Sequence, residues 1–491
     1  MLVAGRYVVA GLAWLGTLLI IKRLSVNEFG EYSVIFSLLG IVGFIADLRL
    51  SRIVLEEVVG ADDSQAAETV GSYTGLRLVI GLVSYAVAIG VVLLGAATGN
   101  YSRDIVLGTA LGGLNLIILS VAFGLILLFE ARLWLKDVAL ANILGQIAAL
   151  VMIVGLSIAG AGSILWYVAA TVLNAIVLIS WILFTLRRGE RIRIRFQPAR
   201  WGHWLKEAAP LALGAALDTI YFRIDVLMLS VMATASAAGI YNVGYKFSDL
   251  VGAIPLAVVT PALTLMVEAW PADLTRFRLV FRHAYVLLLV AAVGACVGFV
   301  VYAEPLIVLA TKEQYRVAAD SARLLVIGQG IHFFTLFAFT TLVAVKRHKL
   351  YPAAMLIGVV VNVGLNLVLI PEYSYLGAGW ATVITEVLVL IALGIGVARI
   401  GGLRPFPAAA TAKIAFAGAV MGLLGWACYG RIPWPVGLGL IVLVYVTLIH
   451  FLAPNGPGGL RAFAGEPHDD LMTAVEEGID RPDLGTGMPD F

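Results

Sequence analysis

Three apolar stretches of this chain carry ionisable side chains where lipid would reject them, and any chemistry starts there. Asp218, Tyr221, Arg223 and Asp225 lie in the run 209–232. On a helix Asp218, Tyr221 and Asp225 share one face, whereas Arg223 is turned well away from it. Asn242, Lys246 and Asp249 follow at spacings of four and three, forming one stripe of the next run. Arg6 stands about one turn inside the first run. An ionised group at bilayer depth costs at least about 2.5–3.5 kcal/mol, so each of these must face a water-filled cavity or a partner. Both faces of the 209–232 helix cannot look at lipid: one lines a cavity and the other meets a neighbouring helix. Each group also has a plainer reading: an ion pair that fixes packing, Lys246 neutralised by Asp249 one turn away, or Arg6 snorkelling to the surface.

The remaining polar positions offer less. Asn115, Asn142, Gln146, Asn174, Gln329, His332, Asn362, Asn366 and Glu386 are expected to hydrogen-bond between helices. His332 has no second His or Cys at ligand spacing, so no metal site is expected. Cys296 and Cys428 sit in apolar runs and read as small core side chains. G-x-x-x-x-G-K-[ST] occurs nowhere, which excludes a P-loop for ATP hydrolysis within this chain. No catalytic residue and no cofactor is expected, apart from a coupling H+ or Na+.

The elements that must position these residues are membrane helices. Of 491 residues 61% are hydrophobic and 13% charged, and the mean hydropathy is +0.98, far from a soluble composition. A span needs about 20 mostly apolar residues. The qualifying runs are 2–21, 31–50, 74–97, 105–129, 139–160, 165–186, 209–232, 239–265, 284–309, 321–345, 351–370, 377–398, 410–429 and 435–453. The expected fold is therefore an all-α integral membrane protein of about fourteen transmembrane helices. No cleavable signal peptide is expected, because the first run ends in Lys22-Arg23-Leu24 without a small-residue cleavage pattern.

Lys and Arg in the loops set the orientation. With a cytoplasmic N-terminus the inside loops hold twenty of them, Arg52, Arg77, Arg132 and Lys349 included, and the outside loops hold seven. Both termini are then cytoplasmic and the localisation is the cytoplasmic membrane. The richest inside loop carries Arg187, Arg188, Arg191, Arg193, Arg195 and Arg200 and runs into Trp201, Trp204 and Lys206, a pattern expected to form a short in-plane helix. A net charge of +2 gives no reason to expect nucleic acid.

Phe29-Gly30-Glu31-Tyr32 resembles Ala238-Gly239-Ile240-Tyr241, and Gly162 with Trp166 resembles Gly377 with Trp380, at nearly the same offset. A duplicated six-helix unit follows, with two pseudo-symmetric lobes around a central cavity. The expected divisions are 1–186 for the first lobe, 187–208 for the basic linker, 209–400 for the second lobe, 401–453 for an extra helix pair, and 454–491 for a disordered tail.

Several short motifs carry a family resemblance in their order. They are Lys22-Arg23-Leu24, Glu28-Phe29-Gly30-Glu31-Tyr32, Asp47-Leu48, Pro210, Arg223-Ile224-Asp225, Gly239-Ile240-Tyr241, Tyr245-Lys246, Pro255, Pro261, Glu304-Pro305-Leu306, Tyr315, Asn362, Asn366, Pro371 and Gly377-Ala378-Gly379-Trp380. The chain resembles the polysaccharide flippases of the Wzx (O-antigen) type, in the superfamily that also holds the lipid II flippase and the multidrug and toxin extrusion antiporters. It departs from them at Arg49, where the family usually has Gly.

The resemblance implies transfer of a polyprenyl-pyrophosphate-linked oligosaccharide between leaflets by alternating access. It implies that Arg6, Arg223, Lys246, Asn242 and Tyr221 meet the pyrophosphate and sugar head. Asp218, Asp225 and Asp249 would balance charge or bind the coupling ion. The implied partners are the lipid-linked substrate, membrane lipids and other polysaccharide-assembly proteins, and the implied state is a monomer. A lipid II flippase and a multidrug or cation antiporter stay open as rivals, although the latter needs an acidic cavity. A membrane glycosyltransferase would need a sizeable outside domain, and a plain scaffold would not need mid-helix charges.

Overall fold

Hydrocarbon offers no partner to a backbone N–H or C=O, so long apolar runs fold as helices. In the computed structural model of this protein each of the fourteen runs falls mainly on helix. Residues 2–47, 50–186, 192–347, 350–400 and 407–452 are described, without the side chains of 2–7, 44–47, 210, 211, 213–216 and 218. The expected tail, Arg49, Arg187, Arg188, Arg191 and Lys349 lie outside the described residues, as do the side chains of Arg6, Asp47 and Asp218.

The first half contains α1 (Leu2–Arg23), α2 (Val26–Asp47), α3 (Leu50–Val59), α4 (Asp63–Ala97), α5 (Arg103–Ala131), α6 (Leu135–Ala159) and α7 (Ile164–Leu186). There follow α8 (Pro198–Met232), α9 (Ala235–Gly252), α10 (Leu256–Ala269), α11 (Leu274–Ala310), α12 (Ala318–Ala344), α13 (Leu350–Ala398), α14 (Ala408–Cys428) and α15 (Trp434–Leu452). Side-chain caps start several of them: Asp62 accepts from Gln65 N, Ser102 from Ile105 N and Thr234 from Ala237 N. No strand occurs among the described residues.

Nine of the described helices are long and apolar enough to cross a membrane, or ten if α9 and α10 are taken as one span. The protein is thus a multi-pass membrane protein. The 49 residues of α13 contain two of the expected runs. They fold back on each other at Ser374, whose φ of +52° and ψ of −132° break the helix three residues after Pro371. The reversal is so tight that a Cβ on Gly377 would overlap the Leu369 carbonyl.

Contacts divide the chain into two compact units, Met1–Ile254 with Ala303–Arg399, and Pro255–Tyr302 with Ile400–Phe491. Lobe boundaries describe duplication and compact units describe contacts, so the two partitions need not coincide. In the second unit glycines let α14 and α15 approach α11: Gly418 faces Val293, Gly425 faces Val301, and Gly294 receives Tyr445, whose hydroxyl donates to Val290 O at 2.9 Å.

In the first unit the two repeat-related glycines meet. A Cβ on Gly30 would overlap the Ala235 carbonyl, and one on Gly239 would lie 2.8 Å from Gly30 N, so α2 and α9 touch backbone to backbone. The same end is tied by Lys312 Nζ donating to Leu24 O at 2.7 Å, Tyr315 Oη donating to Ser25 O at 3.3 Å, and Ser236 Oγ donating to Asn27 Oδ1 at 3.2 Å.

The basic linker differs from the expected in-plane helix. Residues 192–197 form no regular secondary structure, and α8 then runs unbroken from Pro198 to Met232, so Trp201 and Trp204 belong to its first turns. They are buried, not spread on lipid, because their indoles find acceptors: Trp201 Nε1 donates to Ser72 O at 3.1 Å and Trp204 Nε1 to Glu57 Oε1 at 2.7 Å. Arg200 adds a bond to Glu57 at 2.8 Å and lies 5.2 Å over the Trp204 ring. The helix that receives Trp204 and Arg200, α3, is a ten-residue element below span length, whose Leu50, Val54 and Val58 form its buried stripe. Arg77, expected in a loop, is 2% exposed within α4, where its Nε donates to Ser120 O at 3.3 Å. Trp204→Ala is expected to destabilise the protein by about 3–5 kcal/mol, read as a lowered melting temperature in detergent; an unchanged melt would show that this docking contributes nothing.

Candidate functional site

The charged residues of α8 separate by face, as their spacing requires. Arg223 is exposed and lies along α2: a Cβ on Gly40 would be 3.7 Å from its Nε and 3.9 Å from its Cδ. Lys246, half-buried on α9, and Asp249, exposed, are within electrostatic reach of Arg223 and of each other. Among the described residues none of the three makes an ion pair within 4 Å, so the plainer reading of a Lys246–Asp249 pair is not met by a direct contact. Asn242 is half-buried on the same helix.

Asp225 points the other way and is 1% exposed. One carboxylate oxygen accepts Tyr241 Oη at 2.7 Å and Thr382 Oγ1 at 3.1 Å, and the other accepts Asn366 Nδ2 at 2.7 Å. Asn366 Nδ2 also reaches Asn362 Oδ1 at 3.0 Å, and Asn366 Oδ1 is buried without a hydrogen-bond partner. Arg223 and Asp225 therefore do not pair with each other. A carboxylate buried without a cation survives only on such donors. Asp225→Ala would take the carboxylate acceptor from Tyr241, while Thr382 keeps Ala378 O and Asn366 keeps Asn362 Oδ1; at about 1–3 kcal/mol for a stranded donor the loss of thermal stability should exceed that of Asp225→Asn. Equal melting of the two variants would contradict this network.

A second rung lies one turn away. Tyr221 Oη donates to Glu386 Oε1 at 2.8 Å, Thr335 Oγ1 donates to Oε2 at 3.2 Å, and His332 Nδ1 stands 3.1 and 3.2 Å from the two oxygens. Tyr221 and Asp225 on α8 thus face Glu386 and Thr382 on the second arm of α13, four residues apart on each helix. A pocket bounded by Tyr221, Tyr245, Gln329, His332, Asn362 and Glu386 opens here, with room for about one water molecule.

Of the residues singled out in the sequence, the structure gathers Tyr221 and Asp225 on the buried face. It sets Arg223, Lys246 and Asp249 near one another. Arg6 and Asp218 belong to α1 and α8, but their side chains are not described. Interhelical bonding of the lesser polar residues is seen for Asn366 and His332, for Asn115 with Thr171 and for Asn174 with Gln146; Asn142 instead donates to Val138 O within its own helix. Tyr241, Thr382 and Thr335 were not singled out for the site, since hydroxyls in apolar runs carry no charge to mark them.

A family model described as "Polysaccharide biosynthesis protein" matches residues 20–320. No curated protein sequence matches the chain. Among solved structures, the lipid II flippase MurJ in an inward closed conformation superposes with a TM-score of 0.74 at 15% identity, covering 91% of this chain and 97% of that one. An inward-facing multidrug resistance MATE family transporter of the MOP superfamily gives 0.65 at 12% identity, covering 79% and 94%. A MOP superfamily transporter from Pyrococcus furiosus gives 0.54 at 15% identity, covering 81% and 93%. At these identities the likeness is one of fold.

Proposed function

Because this chain belongs to the polysaccharide biosynthesis protein family and has the fold of MOP-superfamily transporters, we propose that it flips a polyprenyl-pyrophosphate-linked oligosaccharide across the cytoplasmic membrane. The observation that carries this reading is the sorting of charge on α8. Arg223 lies exposed along α2 with Lys246 in electrostatic reach and no ion-paired carboxylate, while Asp225 is sealed on the opposite face. A pyrophosphate sugar head cannot enter bare hydrocarbon, and unpaired cations at membrane depth are what it would need. Arg6 and Asn242 complete the proposed head-binding face.

Alternating access would begin from the described state, in which the Gly30–Gly239 contact closes the end at the α1–α2 turn. With the termini cytoplasmic, that end is the outer one. Asp225 is the proposed seat of charge balance or of a coupling H+ or Na+, with Asp218 and Asp249 as further acids. The oxygens of Asp225, Thr382 and Tyr241, together with the unpaired Asn366 Oδ1, form a donor set suited to a hard cation.

Depletion in the source organism tests the substrate class. Loss of a surface glycan with continued peptidoglycan synthesis is expected, whereas arrest of peptidoglycan synthesis would assign lipid II instead.

A further inference from the structure

Three motif residues that the proposed substrate path leaves unused converge at one end of the structure: Leu24 in the α1–α2 turn, and Glu304 and Tyr315 at the α11–α12 connection. Tyr315, 0% exposed, packs edge-on against Phe29 with ring centroids 6.2 Å apart and donates to Ser25 O. Beside it Lys312 Nζ donates to Leu24 O at 2.7 Å, and Gln314 Nε2 reaches the same carbonyl at 3.5 Å. We propose that Lys312 is a positioning residue of the transport cycle. Its ammonium, docked on the C-terminal end of α1, latches shut the end where Gly30 meets Gly239, and this bond must break before that end opens. The proposal rests on the transporter reading for its purpose, and on these contacts for its chemistry.

The last carbonyls of a helix have no partner within it and carry the negative end of its dipole, so a cation is favoured there. Leu24 directly follows α1, and Lys312 is half-buried against it. Among the described residues Lys312 makes no ion pair within 4 Å; Glu28 attracts it and Arg23 repels it from electrostatic reach. A cation held by a neutral carbonyl is released more readily than one held by a carboxylate, because water replaces the carbonyl at small net cost. That suits a contact made and broken once in every cycle. The Gly30–Gly239 approach is apposed backbone, and among the described residues no backbone hydrogen bond joins α2 to α9 there. The polar bonds that hold this end together come from side chains, and Lys312 supplies the charged one.

Both sides of the contact are preformed. Glu304, in the last turns of α11, accepts Arg316 Nη1 at 3.1 Å and Arg323 Nη2 at 3.2 Å; Arg316 also pairs with Glu313 at 2.7 Å, and Arg323 with Asp320 at 2.6 Å. A single exposed pair adds little, but a network that shares one carboxylate fixes geometry. Here it holds the 3-10 turn Glu313–Tyr315, from whose start Lys312 reaches out. The α1–α2 turn is fixed by a capping box: Ser25 N donates to Glu28 Oε2 at 2.7 Å, and Glu28 N to Ser25 Oγ at 3.2 Å. Two stiff pieces from opposite halves of the chain therefore meet through side chains that can let go without either piece unfolding.

The test uses the full-length protein in nanodiscs, with Cys296 and Cys428 replaced by Ser, Ala238→Cys added, and a membrane-impermeant maleimide as probe. Lys312→Met should raise the labelling rate roughly tenfold or more, as expected for loss of a charged hydrogen bond that holds the closed form. Lys312→Arg, which keeps a cation and its donors, should restore slow labelling. Ala122→Cys, 0% exposed in the core around α3, should stay protected in the Lys312→Met protein. Unchanged labelling of Ala238→Cys overturns the proposal, as does an equal rise at Ala122→Cys, the mark of general loosening. A second measurement decides the matter even where Lys312→Met fails to fold. Ser25→Cys and Gln314→Cys, joined by oxidation in a protein without other cysteines, should stop flipping until reductant is added; flipping by the oxidised protein overturns the latch. A wild type that flips nothing would strike the flippase reading and leave the labelling result standing.

Discussion

Arg223→Ala and Lys246→Ala are each expected to slow leaflet-to-leaflet transfer of a polyprenyl-pyrophosphate sugar by about tenfold or more, without loss of membrane insertion. A hydrogen bond to a charged group contributes about 1.5–3 kcal/mol, which sets that range if the cation meets pyrophosphate during passage. Arg223 is not part of the packing that holds α8 in place: it is exposed beside Gly40, and no carboxylate is stranded when it is removed. Arg223→Lys should recover only part of the rate, since a lysine cannot hold phosphate oxygens bidentately. The check is the initial rate of flipping, normalised to protein inserted. Unchanged rates in both alanine variants would remove the assigned roles.

Gly30→Leu is expected to force α2 and α9 apart at the end where their backbones touch. Any side chain on Gly30 collides with the Ala235 carbonyl, and neither backbone can yield without α2 and α9 separating. Ala238, 0% exposed, is next to the contact on α9. In a background with Cys296 and Cys428 replaced by Ser, Ala238→Cys should resist a membrane-impermeant maleimide. Adding Gly30→Leu should raise its labelling rate roughly tenfold or more, as expected when a buried position becomes open. Flipping should fall at the same time, because a transporter that cannot close one end cannot alternate. Equal labelling with and without Gly30→Leu would show that the contact is no gate.

The sequence made the spanning helices legible because twenty apolar residues in lipid have one stable solution, and the reversal at Ser374 was marked by the gap after Pro371. α3 was not legible, since a ten-residue element is half a span long and its Arg52, Glu56 and Glu57 look like a loop between spans. The tryptophans at 201 and 204 misled for a physical reason: alternation with basic residues suits a membrane surface, and only the acceptors at Ser72 and Glu57, 129 and 147 residues away, pull the indoles inward. The opposed faces of Arg223 and Asp225 followed from helical spacing alone. The partners of Asp225 did not, because Asn366 and Thr382 lie 141 and 157 residues away and reach it only through the fold of α13 onto α8. His332 and Glu386 each looked like a lone polar residue, and their pairing across 54 residues is a property of the tertiary structure.

Reconstitution tests the central claim most directly. Purified protein is placed in liposomes containing a fluorescent polyprenyl-pyrophosphate oligosaccharide in both leaflets, and a membrane-impermeant quencher is added outside. If the protein moves the charged head through the membrane, nearly all of the fluorescence should be lost at a rate that rises with protein content. If the inner-leaflet signal persists as it does in protein-free liposomes, the flippase account is contradicted.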